Sequence, residues 1–226
     1  MELVVISSSQ KSNSEIPIIE ELFESGLNYF HVKKRNWSRQ KMTEYLSKIP
    51  KKYHNRIVLH NHYGLALKFN LAGVHIGRRE KTSFKARMKI RALKLIKPSI
   101  RVSISYNNLQ DLIACRGKFA YIFLKAIFDR HNVTEFNQPY NPKQLAQELE
   151  ACNHKVYALG GVNAARFRLA SQCGFDGVVL QGSFWSRREK KMDFFQSVVE
   201  SCNVSNPRKK SMDIQAVKIQ MPGRAS

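Results

Sequence analysis

Short apolar runs alternate along the chain with longer segments whose apolar positions recur at helical spacing. The runs at 3–6, 29–33, 57–60, 73–76, 102–105, 120–124, 156–158 and 178–180 read as strands. Between them the spacing predicts helices at 16–23, up to residue 49 from an N-cap at Ser38, 63–69, 109–115 and 164–172, and a last one over 184–202. Pro142 opens another, and a strongly basic one ends before Pro98. Gly26 closes the first helix. Residues 129–139 lack periodicity and read as a long loop. Strands separated by helices imply parallel βαβ units. Eight of them imply an α/β fold of one closed ring, a (β/α)8 TIM barrel over 1–202. From 203 to 226 the chain turns polar and basic and reads as a disordered tail.

Composition changes this picture in one respect. The formal net charge is +21, from 38 Lys and Arg against 17 Asp and Glu. Such a field attracts polyanions, so non-specific polyanion affinity is one expectation, and phosphorylated small molecules are another class of partner. Residues 78–101 are dense in cations, with Glu80 the one acid. Phe84, Met88, Ala92, Leu95 and Ile96 in that stretch fall near helical spacing, which describes a helix with a solvated basic face. No run reaches the length of a membrane span, and residues 1–7 lack the basic start of a signal peptide. The four cysteines form no C-x-x-C pair, which suits reduced thiols in a cytoplasmic protein.

In a barrel of this kind, chemistry sits at the C-terminal ends of the strands. After the seventh strand comes Gly160-Gly161, and after the eighth Gly182-Ser183. Glycines there let backbone N–H groups approach a phosphate, or simply make a tight turn. The second strand carries His31, Lys33 and Arg35 on one face, two cations suited to a multiply charged phosphate ester. The third ends in His60-Asn61-His62 and the fourth holds His75, so His60, His62 and His75 are one combination for a transition-metal site. Core histidines are the other reading. Ser103 and Ser105 end the fifth strand. Lys125 ends the sixth, either a phosphate clamp, a Schiff-base amine or a surface lysine.

Phe30-His-Val-Lys-Lys-Arg35, Val58-Leu-His-Asn-His-Tyr-Gly-Leu-Ala66, Gly73-Val-His-Ile-Gly77, Ser105, Ala158-Leu-Gly-Gly-Val162 and Gly177-Val-Val-Leu180 occur in that order. Together they resemble the thiamine phosphate synthase family, which includes thiazole tautomerases. The resemblance implies a magnesium-dependent transferase of thiamine biosynthesis. It would couple hydroxymethylpyrimidine diphosphate to thiazole phosphate with release of diphosphate. Lys33, Arg35, Ser105 and Lys125 would then serve the diphosphate chemistry. His31, His60, Gly160, Gly161, Gly182 and Ser183 would bind substrate, and Asn61 and Glu80 would hold Mg2+. The chain departs from the family pattern at several of these places. His31-Val-Lys33-Lys-Arg35 stands for Gln-x-Arg-x-Lys, and Asn61 for a metal-binding aspartate. Residues 129–133 lack the threonines and lysine of the family's loop, and Ala126 replaces the tautomerase histidine. A barrel that binds phosphorylated ligands without catalysis, having lost its magnesium, is the alternative these departures leave open.

Overall fold

A computed structural model describes residues 1–9, 15–77, 83–128, 136, 140–187 and 190–204. Eight parallel strands close on themselves in chain order: β1 (Glu2–Ile6), β2 (Tyr29–Val32), β3 (Ile57–Leu59), β4 (Gly73–Ile76), β5 (Arg101–Tyr106), β6 (Tyr121–Lys125), β7 (Val156–Leu159) and β8 (Gly177–Leu180). The ring closes by β1 pairing with β8, with Val4 beside Val179. The predicted TIM barrel is therefore the fold, and each strand lies within a residue or two of its sequence-based limits.

Alternation along each strand sorts side chains between two cores. Leu3, Val5, Phe30, Val32, Leu59 and Val74 face the helices and join the main outer cluster. Val4, Ile6, Tyr121, Phe123, Tyr157 and Val179 fill the bore. Tyr121 and Tyr157 stack there at 4.8 Å, nearly parallel. Below them the Glu2–Lys155 ion pair, at 2.7 Å, joins the first residue of β1 to the residue before β7.

The helices are α1 (Ile16–Glu24), α2 (Arg39–Ser47), α3 (Leu65–Lys68), α4 (Phe84–Ile96), α5 (Leu109–Ile113), α6 (Pro142–Glu150), α7 (Ala164–Cys173), α8 (Gly182–Trp185) and α9 (Lys191–Val204). Capping explains where several begin: Ser38, Ser83, Asn108, Asn141 and Asn163 each accept a first-turn N–H. A 3-10 turn at Lys51–Arg56 was not predicted. The basic helix α4 is where its predicted range lies, but it is turned the other way from its apolar pattern. Ala86, Ile90 and Leu93 are buried, whereas Phe84, Met88, Leu95 and Ile96 are 47–82% exposed. At 100° per residue those two sets occupy opposing arcs, and the arc of Ala86, Ile90 and Leu93 is the covered one. Among the described residues no helix is long and apolar enough to cross a membrane.

Candidate active site at the C-terminal rim

Because every strand runs the same way, the segments after β2, β3, β6, β7 and β8 share one rim. Lys33 and Arg35 therefore stand at the same end of the barrel as Gly160, Gly161, Gly182 and Ser183. Lys33 follows β2, its backbone N–H donating to Ser7 Oγ at 2.9 Å. Burial and then the positive charges of Arg35 and Lys125 pull its ammonium below the usual lysine range. Strand β6 lies across the ring from β2, so three cations press toward a common mouth. Arg35 is exposed, and Lys33 and Lys125 are half-buried.

Lys34, between the first two, points the other way and is buried. Its Nζ donates to Ser8 O at 2.9 Å and pairs with Glu15 at 2.6 Å. Glu15 also accepts from Ser8 N–H and from Tyr45 O–H. This group was not predicted; it ties the β2 end to the segments flanking α1 and α2 and so fixes the backbone that carries Lys33 and Arg35.

Beneath the mouth three imidazoles meet. His31 of β2 bonds His60 through Nδ1 and Nε2 at 3.0 Å, and Tyr121 Oη through its own Nε2 at 2.8 Å. His75 of β4 bonds Ser103 Oγ at 2.9 Å and Ser105 Oγ at 2.7 Å. The rings of His60 and His75 stack at 4.3 Å. Burial holds His31 down to about 3. Burial, then His75 and His31, then Lys33 and Lys125 keep His60 well below the ordinary histidine value. His31 and His60 are thus neutral at pH 7. His31 has no exposed surface, so it cannot touch a ligand directly as predicted; half-buried His60 lies between it and the mouth. His62 is not part of the cluster. Its φ is 51°, and its Nε2 donates to Trp37 O at 2.7 Å. Inward parity picks out His31 and His75 on their strands, and with His60 just past β3 that signal identifies the trio; a backbone turn takes His62 away.

Asn61 donates from Nδ2 to Lys34 O at 3.0 Å, and its Oδ1 is buried with no partner. A bare buried oxygen is the right kind of atom for a hard cation. One neutral oxygen is still not a magnesium site, which calls for several oxygens and normally carboxylates. The second predicted ligand, Glu80, lies outside the described residues. The described residues alone do not fit magnesium.

At the glycine end, φ is 116° at Gly160 and 65° at Gly161. A Cβ on Gly160 would stand 3.1 Å from the Ala126 backbone, and one on Gly161 2.7 Å from Arg166 Nη1. Arg166, buried on α7, donates to Gly161 O. The pair is therefore required by the turn itself, whatever it binds. Gly182 differs, because a Cβ there meets nothing within 4 Å. Ser183 is half-buried in α8.

Residues 3–183 match the model of the thiamine monophosphate synthase family. The chain belongs to that family. The thiamine-phosphate synthase of Clostridium tetani is 21% identical over 178 residues, covering 77% of this chain and 82% of its own. Among solved structures, a thiamine phosphate pyrophosphorylase from Bacteroides thetaiotaomicron superposes with a TM-score of 0.73 at 25% identity, covering 91% of this chain and all (100%) of that one. One from Pyrococcus furiosus gives 0.70 at 18%, covering 91% and 96%. In this synthase-family chain the cationic rim and glycine turn sit on one face, while the bore below carries the histidines.

Proposed function

We propose that the chain is a thiamine phosphate synthase, a transferase that joins hydroxymethylpyrimidine diphosphate to thiazole phosphate. The thiazole nitrogen forms a C–N bond at the pyrimidine methylene carbon. The C–O bond to the diphosphate breaks, and diphosphate leaves with the bonding electrons. Charge grows on the departing diphosphate, and that is where fixed cations act. Lys33, Arg35 and Lys125 hold it, with Ser105 beneath. The N–H groups around Gly160, Gly161, Gly182 and Ser183 receive the thiazole phosphate, as loops after the last two strands do in phosphate-binding barrels. Half-buried His60, backed by His31, contacts the pyrimidine. The reaction is a cytoplasmic one, and Asn61 and Glu80 are the residues that would hold magnesium, which would offset the charge on the diphosphate.

The observation that carries this reading is the gathering of Lys33, Arg35 and Lys125 at one rim, where burial and then the charges of Arg35 and Lys125 lower the Lys33 ammonium and a bound polyphosphate would offset that repulsion. The test is diphosphate release and product formation with both substrates, with and without magnesium. Turnover in the wild type supports the reading, and Asn61→Asp is expected to increase the magnesium-dependent rate. Absence of product in both proteins refutes it. A second reading, a non-catalytic binder of phosphorylated ligands, is favoured by the amide at position 61. It predicts calorimetric diphosphate binding that is independent of magnesium, with no turnover.

A further inference from the structure

We propose that His31, His60 and His75 form a binding site for one zinc-class divalent transition metal, distinct from any magnesium at Asn61. Among the described residues this is the group of three or more His, Cys, Asp or Glu side chains with ligand atoms close enough for one ion, all within 4.8 Å of one another. Tetrahedral zinc with bonds of about 2.0–2.1 Å needs nitrogens roughly 3.3 Å apart. His31 Nδ1 and His60 Nε2 are already 3.0 Å apart. The ring of His75 lies 4.3 Å from that of His60 between centroids, and ligand atoms up to 4.8 Å apart would close to roughly 3.3 Å around one ion.

The surroundings suit ligation. Metal-bound histidines present their remaining N–H to an oxygen that sets the tautomer. His31 has Tyr121 Oη at its far nitrogen, and His75 has Ser103 Oγ at Nδ1. Ser105 Oγ, now at His75 Nε2, is the group that would yield to the ion. Neutral imidazoles favour zinc, cobalt, nickel or copper over magnesium, which wants oxygen. Three neutral ligands leave the ion's charge uncompensated below Lys33 and Lys125. The fourth position, reached past half-buried His60, therefore takes an anion such as hydroxide or a phosphate oxygen. The site needs the cluster and not the reaction, but it shares His60 and His31 with the pyrimidine contact proposed above, so metal and pyrimidine would compete there.

Chelator-treated full-length protein would be titrated with Co2+ and followed by visible absorption and by NMR of paramagnetically shifted imidazole N–H protons. The expected result is one equivalent bound, an intense tetrahedral visible band, shifted N–H signals from three rings, and no thiolate charge-transfer band. Zn2+ is expected to displace the cobalt and to raise the thermal unfolding midpoint. Folded His60→Asn is expected to lose the band, while His62→Asn, altered two residues away, keeps it. No bound equivalent, a thiolate band, fewer than three shifted rings, full binding by folded His60→Asn or loss in folded His62→Asn would each overturn the proposal. The NMR count on unaltered protein decides the matter even if His60→Asn does not fold.

Discussion

Replacing Lys34 by methionine is expected to destabilise the barrel far more than replacing either neighbouring rim cation. The Lys34 and Glu15 side chains are 1% and 3% exposed, and their charges lie 2.6 Å apart. At an effective dielectric of 20 that separation corresponds to an attraction of about 6 kcal/mol. Desolvation costs several kcal/mol for each ion, so the intact pair stands near balance against an apolar pair of the same volume. Removing one partner leaves the desolvation of the other uncompensated, and Lys34→Met should cost about 3–5 kcal/mol. Glu15 would keep Ser8 N–H and Tyr45 O–H as donors, but no cation. The double variant Lys34→Met/Glu15→Gln removes both charges while leaving an oxygen for those donors. It should recover much of the loss, with a coupling of up to about 3 kcal/mol.

Urea unfolding followed by circular dichroism measures this. With a slope near 3 kcal/mol/M, the midpoint of Lys34→Met should fall by about 1 M or more, and that of the double variant by less. The local consequence is also measurable, because Lys34 O holds the Asn61 amide. Diphosphate binding by folded Lys34→Met should weaken although the charge lost is not at the mouth. A midpoint shift equivalent to under about 1 kcal/mol, the range of an exposed pair, would refute the buried network. So would a double variant less stable than the single one.

Lys125→Met and Lys33→Met should each weaken diphosphate binding by roughly ten- to a hundredfold, the worth of a charged hydrogen bond, with little change in the unfolding midpoint; calorimetry showing unchanged affinity would remove these residues from the mouth's function. Gly161→Ala should lose about 1–2 kcal/mol for its left-handed backbone alone, more for the clash with Arg166, whereas Gly182→Ala should keep its stability. Equal unfolding midpoints for the two variants would contradict the turn geometry. Burial raises the thiols of Cys173 and Cys202 to about 11, so their alkylation should be slow at pH 8 and accelerate as pH rises toward 11. Peptide mapping that finds either labelled rapidly at pH 8 would sink that expectation.

What the sequence made legible was whatever depends on local periodicity. Alternating apolar runs located the strands, and the alignment of their C-terminal ends followed from parallel pairing alone. Ser38 was readable as a cap because a side-chain oxygen before an apolar repeat has one common use. The outward stripe on α4 was misread because a helical repeat names two arcs without saying which one the barrel covers. Ala86, Ile90 and Leu93 lie on the covered arc, while Phe84 and Leu95 fall opposite and are exposed. Lys34 escaped notice for a related reason. In a run of three cations, parity sends the middle one to the far side, but only the fold shows that Glu15 is waiting there.

The histidines carry the same argument furthest. His60 and His62 are two residues apart, and on a continuing strand they would share a face. The strand stops at Leu59, and a positive φ at residue 62 turns that ring toward Trp37 O. His31 and His75 lie on the two strands that flank β3, at inward positions, so pairing rather than spacing brings them to His60. Three imidazoles in a bore otherwise filled by aromatic and apolar side chains are costly unless their nitrogens find partners. Tyr121 of β6 supplies one to His31 across the ring, and Ser103 and Ser105 of β5 supply those of His75. Hydroxyls hold one nitrogen of His31 and both of His75, while His60 is held by His31. What goes beyond packing is the approach of one ligand atom from each ring to within 4.8 Å of the others.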